Sequence, residues 1–376
     1  MMKLNNTPSV KVICDLQFGS TGKGVIVGRV AQDWLPTALA TGWGTNAGHT
    51  MITDVHGKRV ATQVASAAVV ESVTELFIGG GSLINPFKFA DELDEVQSIR
   101  EDLGYEPVQV TMVDTAALIM PQHEAAEQPL VSIGSTMKGN SAAIIQKLSR
   151  NPIGSNVIGM SKTNLHERTD VSILFMDEYI SAMKSHKRVL LEGAQGFSLG
   201  INQGFYPYCT SRECTPQQLC TEAGVPASWV TDTIGCLRTF PIRVSNRFDV
   251  MTDRQIGWSG GHYPDQKEIT FGEINQKQER TTVTNLPRRI FTFSQLQLYN
   301  SLVQCAPSTL FLNFCNYHKK SSDLITLIEQ ISETYQAAGY IKDPLKYLSF
   351  SGNSDEIMKF NGYDDTMILE IKKRLG

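Results

Sequence analysis

The sequence VKVICDL at residues 10–16 is followed by FGSTGKG at 18–24 and by VIVGRVAQDWL at 25–35. A short apolar run, a glycine-rich stretch and a helical pattern in this order predict a strand, a loop and a helix. Similar apolar runs, separated by helical patterns, predict further strands at 75–78, 188–191, 236–244, 309–314 and 347–350. This alternation predicts an α/β fold in which a mostly parallel central sheet is flanked by helices.

Two helices and the lack of a visible linker bear on the domain organisation. Apolar residues at positions 324, 327, 328, 331 and 335 follow helical spacing and predict a helix over 322–338, which Gly339 ends. A second helix is predicted at the end of the chain, capped near Asp364. The length of 376 residues alone allows one or two domains. We predict one elaborated domain over residues 1–376.

The composition excludes several classes of protein. The 34 lysines and arginines stand against 38 acidic residues, and the resulting net charge of −4 argues against nucleic-acid binding through bulk positive charge. With 41% hydrophobic and 19% charged residues, the chain is typical of a globular protein. Its seven cysteines contain no C-x-x-C pair, and neither a signal peptide nor a membrane-length apolar run is visible. We expect no nucleic-acid or membrane partner and a cytoplasmic location.

The segment GSTGKG at 19–24 is a candidate phosphate-binding loop. It follows a predicted strand and opens a predicted helix, so backbone N–H groups could hold a phosphate while Lys23 offsets its charge. The segment is not a Walker A motif, because its glycines are too close together and Gly24 stands where that motif has serine or threonine. A plain surface turn is an equal alternative on this pattern alone.

A second glycine-rich segment, GWGTNAGHT at 42–50, contains His49, which could contact a ligand or be a structural loop histidine. Five motifs occur in the order and spacing of adenylosuccinate synthetases: FGSTGKG at 18–24, TNAGHT at 45–50, IGSTMKG at 133–139, LEGAQG at 191–196 and YPYCTS at 206–211. The chain resembles this family over residues 10–357, closely up to residue 245 and more loosely afterwards. The resemblance implies the P-loop-like fold of the family.

The resemblance also implies a reaction. Enzymes of the family transfer the γ-phosphate of GTP to O6 of IMP, and the amino group of aspartate then displaces phosphate from C6. A Mg²⁺ cofactor is implied as well, together with a homodimer in which Arg150 acts across the interface. Because all the substrates are anions, a chain with net charge −4 must concentrate cations locally.

Individual residues receive roles from the matching motifs. Lys23, His49 and Gln195 resemble the residues that stabilise the phosphoryl group during transfer, and with Ser20 they form the predicted catalytic set. The nucleoside monophosphate would be bound by Ser20, Asn46, Thr136, Arg150, Gln195, Thr210 and Val244. The triphosphate would be bound by Gly22, Lys23, Gly24, Gly48, His49, Thr50, Asn313, Asn316 and Gly352. Mg²⁺ would lie near Ser20 and the carbonyl of Gly48.

The chain departs from the family in the first loop. Where the family has Gly-Asp-Glu-Gly-Lys-Gly, Ser20 replaces the aspartate that removes the N1 proton of IMP and helps to hold Mg²⁺. Serine is a poor general base at neutral pH, so one interpretation is an inactive enzyme. The other is that loss of the carboxylate makes room beside purine C2 for the amino group of guanine, from which the Ser20 hydroxyl could accept a hydrogen bond.

The aspartate-binding loop is a second departure. The family's Thr-Thr-Gly-Arg-x-Arg-Arg aligns with VTNLPRR at 283–289, which assigns Thr284 and Arg288 to aspartate. Leu286 replaces an arginine that also reaches the ribose 2′-hydroxyl in the family, and a leucine there favours a 2′-deoxyribose. A change of register by one or two residues would remove that inference but would leave Arg288 in place.

The nucleotide-base pocket differs too. The family's Thr-Lys-x-Asp after a strand reads NFCN at 313–316, and an asparagine amide can both donate and accept, as adenine requires. The family's late Gly-Pro-x-Arg reads GNSD at 352–355, without the arginine. ATP or dATP is therefore predicted as the phosphoryl donor instead of GTP.

Together, the altered base, sugar and donor resemble the phage-type 2-aminoadenylosuccinate synthetases, which make the precursor of 2,6-diaminopurine DNA. We predict a C–N ligase that joins L-aspartate to dGMP with ATP, giving 2-amino-2′-deoxy-N6-succinyladenylate, ADP and phosphate, in the host cytoplasm if the chain is phage-encoded. An ordinary adenylosuccinate synthetase that uses IMP and GTP is the alternative enzyme. An inactive nucleotide-binding regulator is the alternative outside catalysis.

Overall fold

The computed structural model describes residues 7–249, 251–282, 284–362 and 364–375. Val283, the first residue of the aligned aspartate-binding loop, lies outside the described residues. The strands are β1 (Ser9–Asp15), β2 (Ala38–Thr41), β3 (His49–Thr53), β4 (Gly57–Ala61), β5 (Glu75–Ile78), β6 (Leu83–Ile84), β7 (Gln109–Val113), β8 (Ala117–Leu118), β9 (Val171–Leu174), β10 (Arg188–Glu192), β11 (Val230–Arg238), β12 (Ile242–Arg243), β13 (Arg247–Phe248), β14 (Gln255–Gly257), β15 (Glu268–Ile269), β16 (Arg289–Phe291), β17 (Thr309–Asn313), β18 (Leu345–Leu348) and β19 (Met358–Lys359). The helices are α1 (Lys23–Trp34), α2 (Pro86–Asp102), α3 (Pro121–Ala126), α4 (Asn140–Leu148), α5 (Met176–Lys184), α6 (Pro216–Ala223), α7 (Gln295–Cys305), α8 (Ser321–Ala337) and α9 (Asp365–Leu375).

Within the described residues, ten strands form one sheet in the order β19-β18-β17-β11-β1-β10-β2-β5-β7-β9. Neighbouring strands are parallel except for β18 and β19. The predicted α/β class with a mostly parallel sheet is therefore confirmed. β1 pairs with β10 on one side and β11 on the other. The loop after β1 consequently opens near the middle of the carboxyl edge of the sheet, where α/β proteins bind their ligands.

The apolar character of β1 reflects burial on both faces of the sheet. Ile13 belongs to a core cluster that also holds side chains of α1 and α2, while Val10, Val12 and Cys14 belong to a second cluster with side chains of α5, α6, α7 and α8. Successive side chains of a strand point to opposite faces, so helices must cover both sides. This explains why the sequence of β1 is nearly uninterrupted in apolar residues instead of alternating with polar ones.

One predicted strand, over 236–244, is wrong. β11 begins earlier and ends at Arg238, and the separate strand β12 pairs antiparallel with β16 in a small three-stranded sheet. Pro241 lies between β11 and β12, and proline lacks the N–H group that a continuous ladder requires. The break places Arg243 and Val244 in the lining of the large cleft described below.

The other predicted elements agree with the structure to within a few residues. The predicted helix over 322–338 is confirmed as α8, and its apolar stripe, Leu324, Leu327, Ile328, Ile331 and Tyr335, is buried. The strand predicted at 347–350 lies two residues earlier, as β18. In the part of the chain that the structure describes, no helix combines the length and apolar character needed to cross a bilayer.

Candidate active site

A large cleft of about 1070 Å³ lies at the carboxyl edge of the sheet. The loops that follow β1 and β10 reach it, as do the segment before β3 and the chain that follows β11. A smaller cavity of about 80 Å³ adjoins it and shares part of its lining. Parallel strands end at a common edge, which is why motifs far apart in the sequence meet here.

Asp15, the last residue of β1, organises the glycine-rich loop. Its Oδ1 accepts hydrogen bonds from the backbone N–H groups of Gln17 (2.9 Å) and Gly19 (3.2 Å). Its Oδ2 accepts from the N–H and hydroxyl of Thr21, at 3.2 and 2.5 Å, and from Lys23 Nζ at 3.2 Å. A buried carboxylate that accepts this many hydrogen bonds fixes the loop around it.

The start of α1 places Lys23 at the floor of the cleft. Gly22 adopts a left-handed conformation (φ 85°) that glycine tolerates best. A Cβ at Gly24 would lie 2.2 Å from the carbonyl oxygen of Thr50, so only glycine allows α1 to approach β3 this closely. Lys23 Nζ also donates to the carbonyl of Gln195 at 2.7 Å. The ammonium group is thereby held between the ends of β1 and β10.

His49 is held by a buried carboxylate. Its Nδ1 lies 2.6 Å from Oε1 of Glu192, which is 1% exposed and forms the last residue of β10. Glu192 also accepts from the backbone N–H of Ser66 at 3.2 Å and from its hydroxyl at 3.1 Å. A carboxylate on Nδ1 fixes the orientation of the ring, and His49 itself lines the cleft.

The segment 62–66 contacts Glu192 and Trp43 and thereby helps to hold His49 in place. Glu92 on α2 accepts hydrogen bonds from the backbone N–H groups of Thr62, Gln63 and Val64, at 2.8 to 3.1 Å. The Gln63 carbonyl accepts from Trp43 Nε1 at 2.8 Å, and the Trp43 ring packs edge-on against His49 with a centroid separation of 4.6 Å. The histidine is therefore fixed by both a hydrogen bond and an aromatic contact.

Gln195 presents an unpaired acceptor in the cleft. Its Nε2 donates to Oδ1 of Asn46 at 3.1 Å, whereas its Oε1 is buried and has no hydrogen-bond partner. Both residues line the large cleft. A buried acceptor without a partner is costly, so this oxygen is suited to a ligand donor.

Ser20 lies where the cleft and the smaller cavity meet. Its backbone is left-handed (φ 57°), and its hydroxyl oxygen accepts a hydrogen bond from Arg288 Nη1. Its carbonyl accepts from Arg238 Nη1 at 3.0 Å. The serine that replaces the family aspartate is therefore in direct contact with the arginine assigned to aspartate binding.

Glu279 links the two arginines that contact Ser20. Its carboxylate bonds to Arg238 Nη2 at 2.5 Å and to the Tyr317 hydroxyl at 2.6 Å, and it lies 3.9 Å from Arg288 Nε. Burial opposes its ionisation, but the charge and hydrogen bonds of Arg238 lower the pKa of Glu279 below its ordinary value. Burial, followed by the charge of Arg238, lowers the pKa of Arg288 to about 10, so this guanidinium stays protonated at neutral pH.

The structure brings together most of the predicted site residues. Those lining the large cleft are Ser20, Gly22, Lys23, Gly24, Asn46, Gly48, His49, Thr50, Thr136, Gln195, Thr210, Val244, Arg288 and Gly352. Thr284 lines the smaller cavity.

Three predicted site residues do not line either cavity. Asn313 is buried and its Nδ2 donates to the carbonyl of Thr21 at 2.6 Å, so it supports the phosphate loop. Asn316 is exposed after β17, and Arg150 is exposed just beyond α4. Their assignment to nucleotides stays a prediction.

Four acidic or basic residues of this region were not predicted from the sequence. Asp15 ends the decisive first strand, and Glu192 lies inside the LEGAQG motif beside Gln195, so both had a local signal. Glu279 and Arg238 had none, because Arg238 contacts Ser20 across 218 positions of the chain and Glu279 is linked to Ser20 only through Arg238 and Arg288.

The comparisons with known proteins agree with this geometry. The family model of adenylosuccinate synthetase matches residues 12–180 and 165–324. The chain is 38% identical over 353 residues to the N6-succino-2-amino-2′-deoxyadenylate synthase of Acinetobacter phage SH-Ab 15497, covering 88% of this chain and 90% of that protein. It is 40% identical over 325 residues to the synthase of the same name from Salmonella phage PMBT28, covering 84% and 87%.

A solved structure is similar over nearly the whole chain. The succinoaminodeoxyadenylate synthetase of cyanophage S-2L, bound to dGMP and to dATP as an energy donor, matches with a TM-score of 0.85 and 28% identity, covering 98% of this chain and 100% of that one. The fold, the family model and the phage relatives all indicate the same enzyme family. This chain therefore belongs to the adenylosuccinate synthetase family and is a C–N ligase of that type.

Proposed function

We propose that this enzyme joins L-aspartate to C6 of dGMP at the expense of ATP or dATP. O6 of guanine attacks the γ-phosphorus and the nucleoside diphosphate leaves. The aspartate amino group then attacks C6, and inorganic phosphate leaves with the former O6. The product is 2-amino-2′-deoxy-N6-succinyladenylate.

The position of Ser20 is the observation that carries the proposal. Its side chain lies at the junction of the two cavities, where a small neutral hydroxyl leaves space beside the purine and can accept from the guanine 2-amino group. The phage relatives carry the name of the dGMP-derived product, and the cyanophage enzyme was solved with dGMP and dATP. These names support the same substrate for this chain.

The catalytic roles follow from charge and position. Lys23 would offset the negative charge that develops on the transferred phosphoryl group. His49 would donate from Nε2 to the same group, since its Nδ1 is engaged by Glu192. Gln195 Oε1, which lacks a partner, would accept from the purine.

The residues around the sugar and the donor support a deoxynucleotide and an adenine donor. Leu286 lines the smaller cavity and offers no hydrogen bond to a 2′-hydroxyl, which favours deoxyribose. We assign Asn316 to the donor base, because its exposed amide lies just after β17 and can both donate and accept. The support from Asn313 is indirect, through the loop that would hold the donor phosphates.

Mg²⁺ fits the site with few protein ligands. No cluster of three or more histidine, cysteine or acidic side chains suited to a metal occurs among the described residues. Mg²⁺ commonly binds through substrate phosphates and water with one or two protein oxygens, and the Gly48 carbonyl can supply one. At the Ser20 hydroxyl, the positive charge of the neighbouring Arg288 guanidinium would oppose Mg²⁺, so this oxygen is the weaker candidate ligand. When bound, the ion would neutralise the donor phosphates.

We also propose a homodimer in which Arg150 reaches the partner's nucleotide. Ile145, Leu148 and Ile153 are 67%, 68% and 84% exposed on either side of Arg150, and Ile145 also lines the cleft. An exposed apolar patch of this kind marks an interaction surface. The seven cysteines are free thiols, which suits a reducing cytoplasm.

The test is a phosphate-release assay with aspartate, comparing dGMP with IMP and ATP or dATP with GTP, and with the product identified by mass spectrometry. The proposal requires dGMP and an adenine donor to give the highest kcat/KM and a succinylated aminopurine as product. Preference for IMP and GTP would replace it with the ordinary synthetase. Nucleotide binding without any succinylated product would indicate an inactive regulator.

A further inference from the structure

Arg247, at the start of β13, faces the smaller cavity and lacks an anionic partner. Its Nη2 donates to the carbonyl of Ser135 at 2.7 Å, while its Nε is buried without any hydrogen-bond partner. Among the residues that the structure describes, no carboxylate lies within 4.0 Å of this guanidinium. Burial alone lowers the pKa of Arg247, which is the response of a cation without a nearby countercharge.

Two other cations that line the site are paired with carboxylates. Lys23 lies 3.2 Å from Asp15, and Arg288 lies 3.9 Å from Glu279. A half-buried guanidinium without such a partner is expensive to maintain, because desolvation of the charge is not offset. A bound anion would remove this cost.

The lining of the smaller cavity indicates which anion. Arg247, Thr281, Thr284 and Leu286 line this cavity but not the large cleft, and Arg288 lines both. L-aspartate carries two carboxylates, and Arg288, whose charge is partly offset by Glu279, can serve only one of them well. Leu286 has no charge with which to bind the second carboxylate.

We infer that Arg247 is a substrate-binding residue that pairs with one carboxylate of L-aspartate while Arg288 holds the other. This inference rests on the proposed function, in which aspartate is the amino donor. Arg247 thus joins the hydroxyls of Thr281 and Thr284 in a subsite suited to a short dicarboxylate. The sequence pattern gave no indication of it, because Arg247 is separated by 41 positions from Arg288.

The test compares Arg247→Gln and Arg247→Lys with the wild type in steady-state assays that vary aspartate and dGMP separately. The glutamine can keep a hydrogen bond to Ser135 but has no charge. We expect its KM for aspartate to rise by about tenfold or more, with kcat and the KM for dGMP within about twofold of the wild type. The KM of Arg247→Lys for aspartate should lie between those of the wild type and Arg247→Gln. Arg254→Gln, an exposed arginine just before β14, is the matched control and should change neither KM.

Calorimetric titration of aspartate into the dGMP-loaded protein gives a readout that does not depend on turnover. Equal aspartate affinity in wild type and Arg247→Gln would overturn the inference. A rise confined to the KM for dGMP would also overturn it, because Arg247 would then bind the 5′-phosphate of the nucleotide. A wild type that prefers IMP would overturn the proposed substrate only. The same titration with IMP-loaded protein would then still decide the role of Arg247.

Discussion

Arg288 donates a hydrogen bond from Nη1 to the hydroxyl oxygen of Ser20. The contact spans 268 positions of the chain. It joins the loop that is predicted to bind the substrate L-aspartate to the loop in which serine replaces the family's aspartate side chain. A carboxylate at position 20 would place a negative charge within reach of the Arg288 guanidinium. A hydroxyl holds the guanidinium more weakly, since a hydrogen bond between two charged groups is stronger than one to a neutral acceptor.

Ser20→Asp should shift the nucleotide preference away from dGMP. In the proposed binding mode, the added carboxylate would occupy the space beside the purine C2 amino group and would supply the base that IMP requires. We expect the ratio of kcat/KM for dGMP to that for IMP to fall by about tenfold or more. Ser20→Ala, which removes the hydroxyl without adding charge, serves as the control and should lower both values without favouring IMP. An unchanged ratio in Ser20→Asp would show that this position does not select the base.

Glu192→Gln should reduce turnover much more than substrate affinity. The amide can still contact His49 Nδ1, but it removes the negative charge that lies beside the ring while the phosphoryl group is transferred. We expect kcat to fall by about a hundredfold while the KM values change little, as for loss of a group that acts in the transition state. His49→Ala gives the reference loss. If Glu192→Gln raised KM for the nucleotides and spared kcat, the pair would have a binding role instead.

How much of this site the sequence predicts depends on the distance between its parts along the chain. Asp15, Lys23 and Gln195 lie within or beside short motifs, and such motifs specify local geometry such as a strand followed by a phosphate loop. The pairing of β1 with β10 then places those motifs together. The α/β pattern predicts the fold class, whereas the pairing of β1 with β10 that brings the motifs together is seen only in the structure.

The interactions around Arg247 and Glu279 could not be predicted in this way. They depend on the chain after β11, where the backbone leaves the main sheet before Pro241 and short antiparallel strands begin. These strands have two or three residues each, too few to show an apolar period. Side-chain contacts formed by such segments are set by tertiary packing, and only the three-dimensional structure reveals them.

Glu279→Gln should destabilise the fold in a pH-dependent manner. The folded-state pKa of Glu279 lies below its ordinary value of 4.5, so its stabilising effect is complete above that value and is lost as the pH falls through the folded-state pKa. We expect the free energy of unfolding at pH 7 to drop by about 3 kcal/mol, because Arg238 loses its buried partner. Urea unfolding should show that the difference from wild type shrinks below pH 4.5. Glu329→Gln, on the exposed side of α8, should have no such effect.

Mixing two inactive variants should restore activity if Arg150 acts across a dimer interface. Lys23→Ala inactivates the site of its own subunit, and Arg150→Ala inactivates the site of its partner. In a mixed dimer, the site of the Lys23→Ala subunit lacks both groups, because its partner carries Arg150→Ala. The subunit that carries Arg150→Ala keeps its own Lys23 and receives a normal Arg150 from the Lys23→Ala subunit, so this one site is complete. After subunit exchange, we expect about a quarter of the wild-type activity, because half of the dimers are mixed and each has one complete site. A tagged subunit confirms that exchange has taken place. If exchange occurs and activity does not recover, Arg150 lies outside the nucleotide site of the partner.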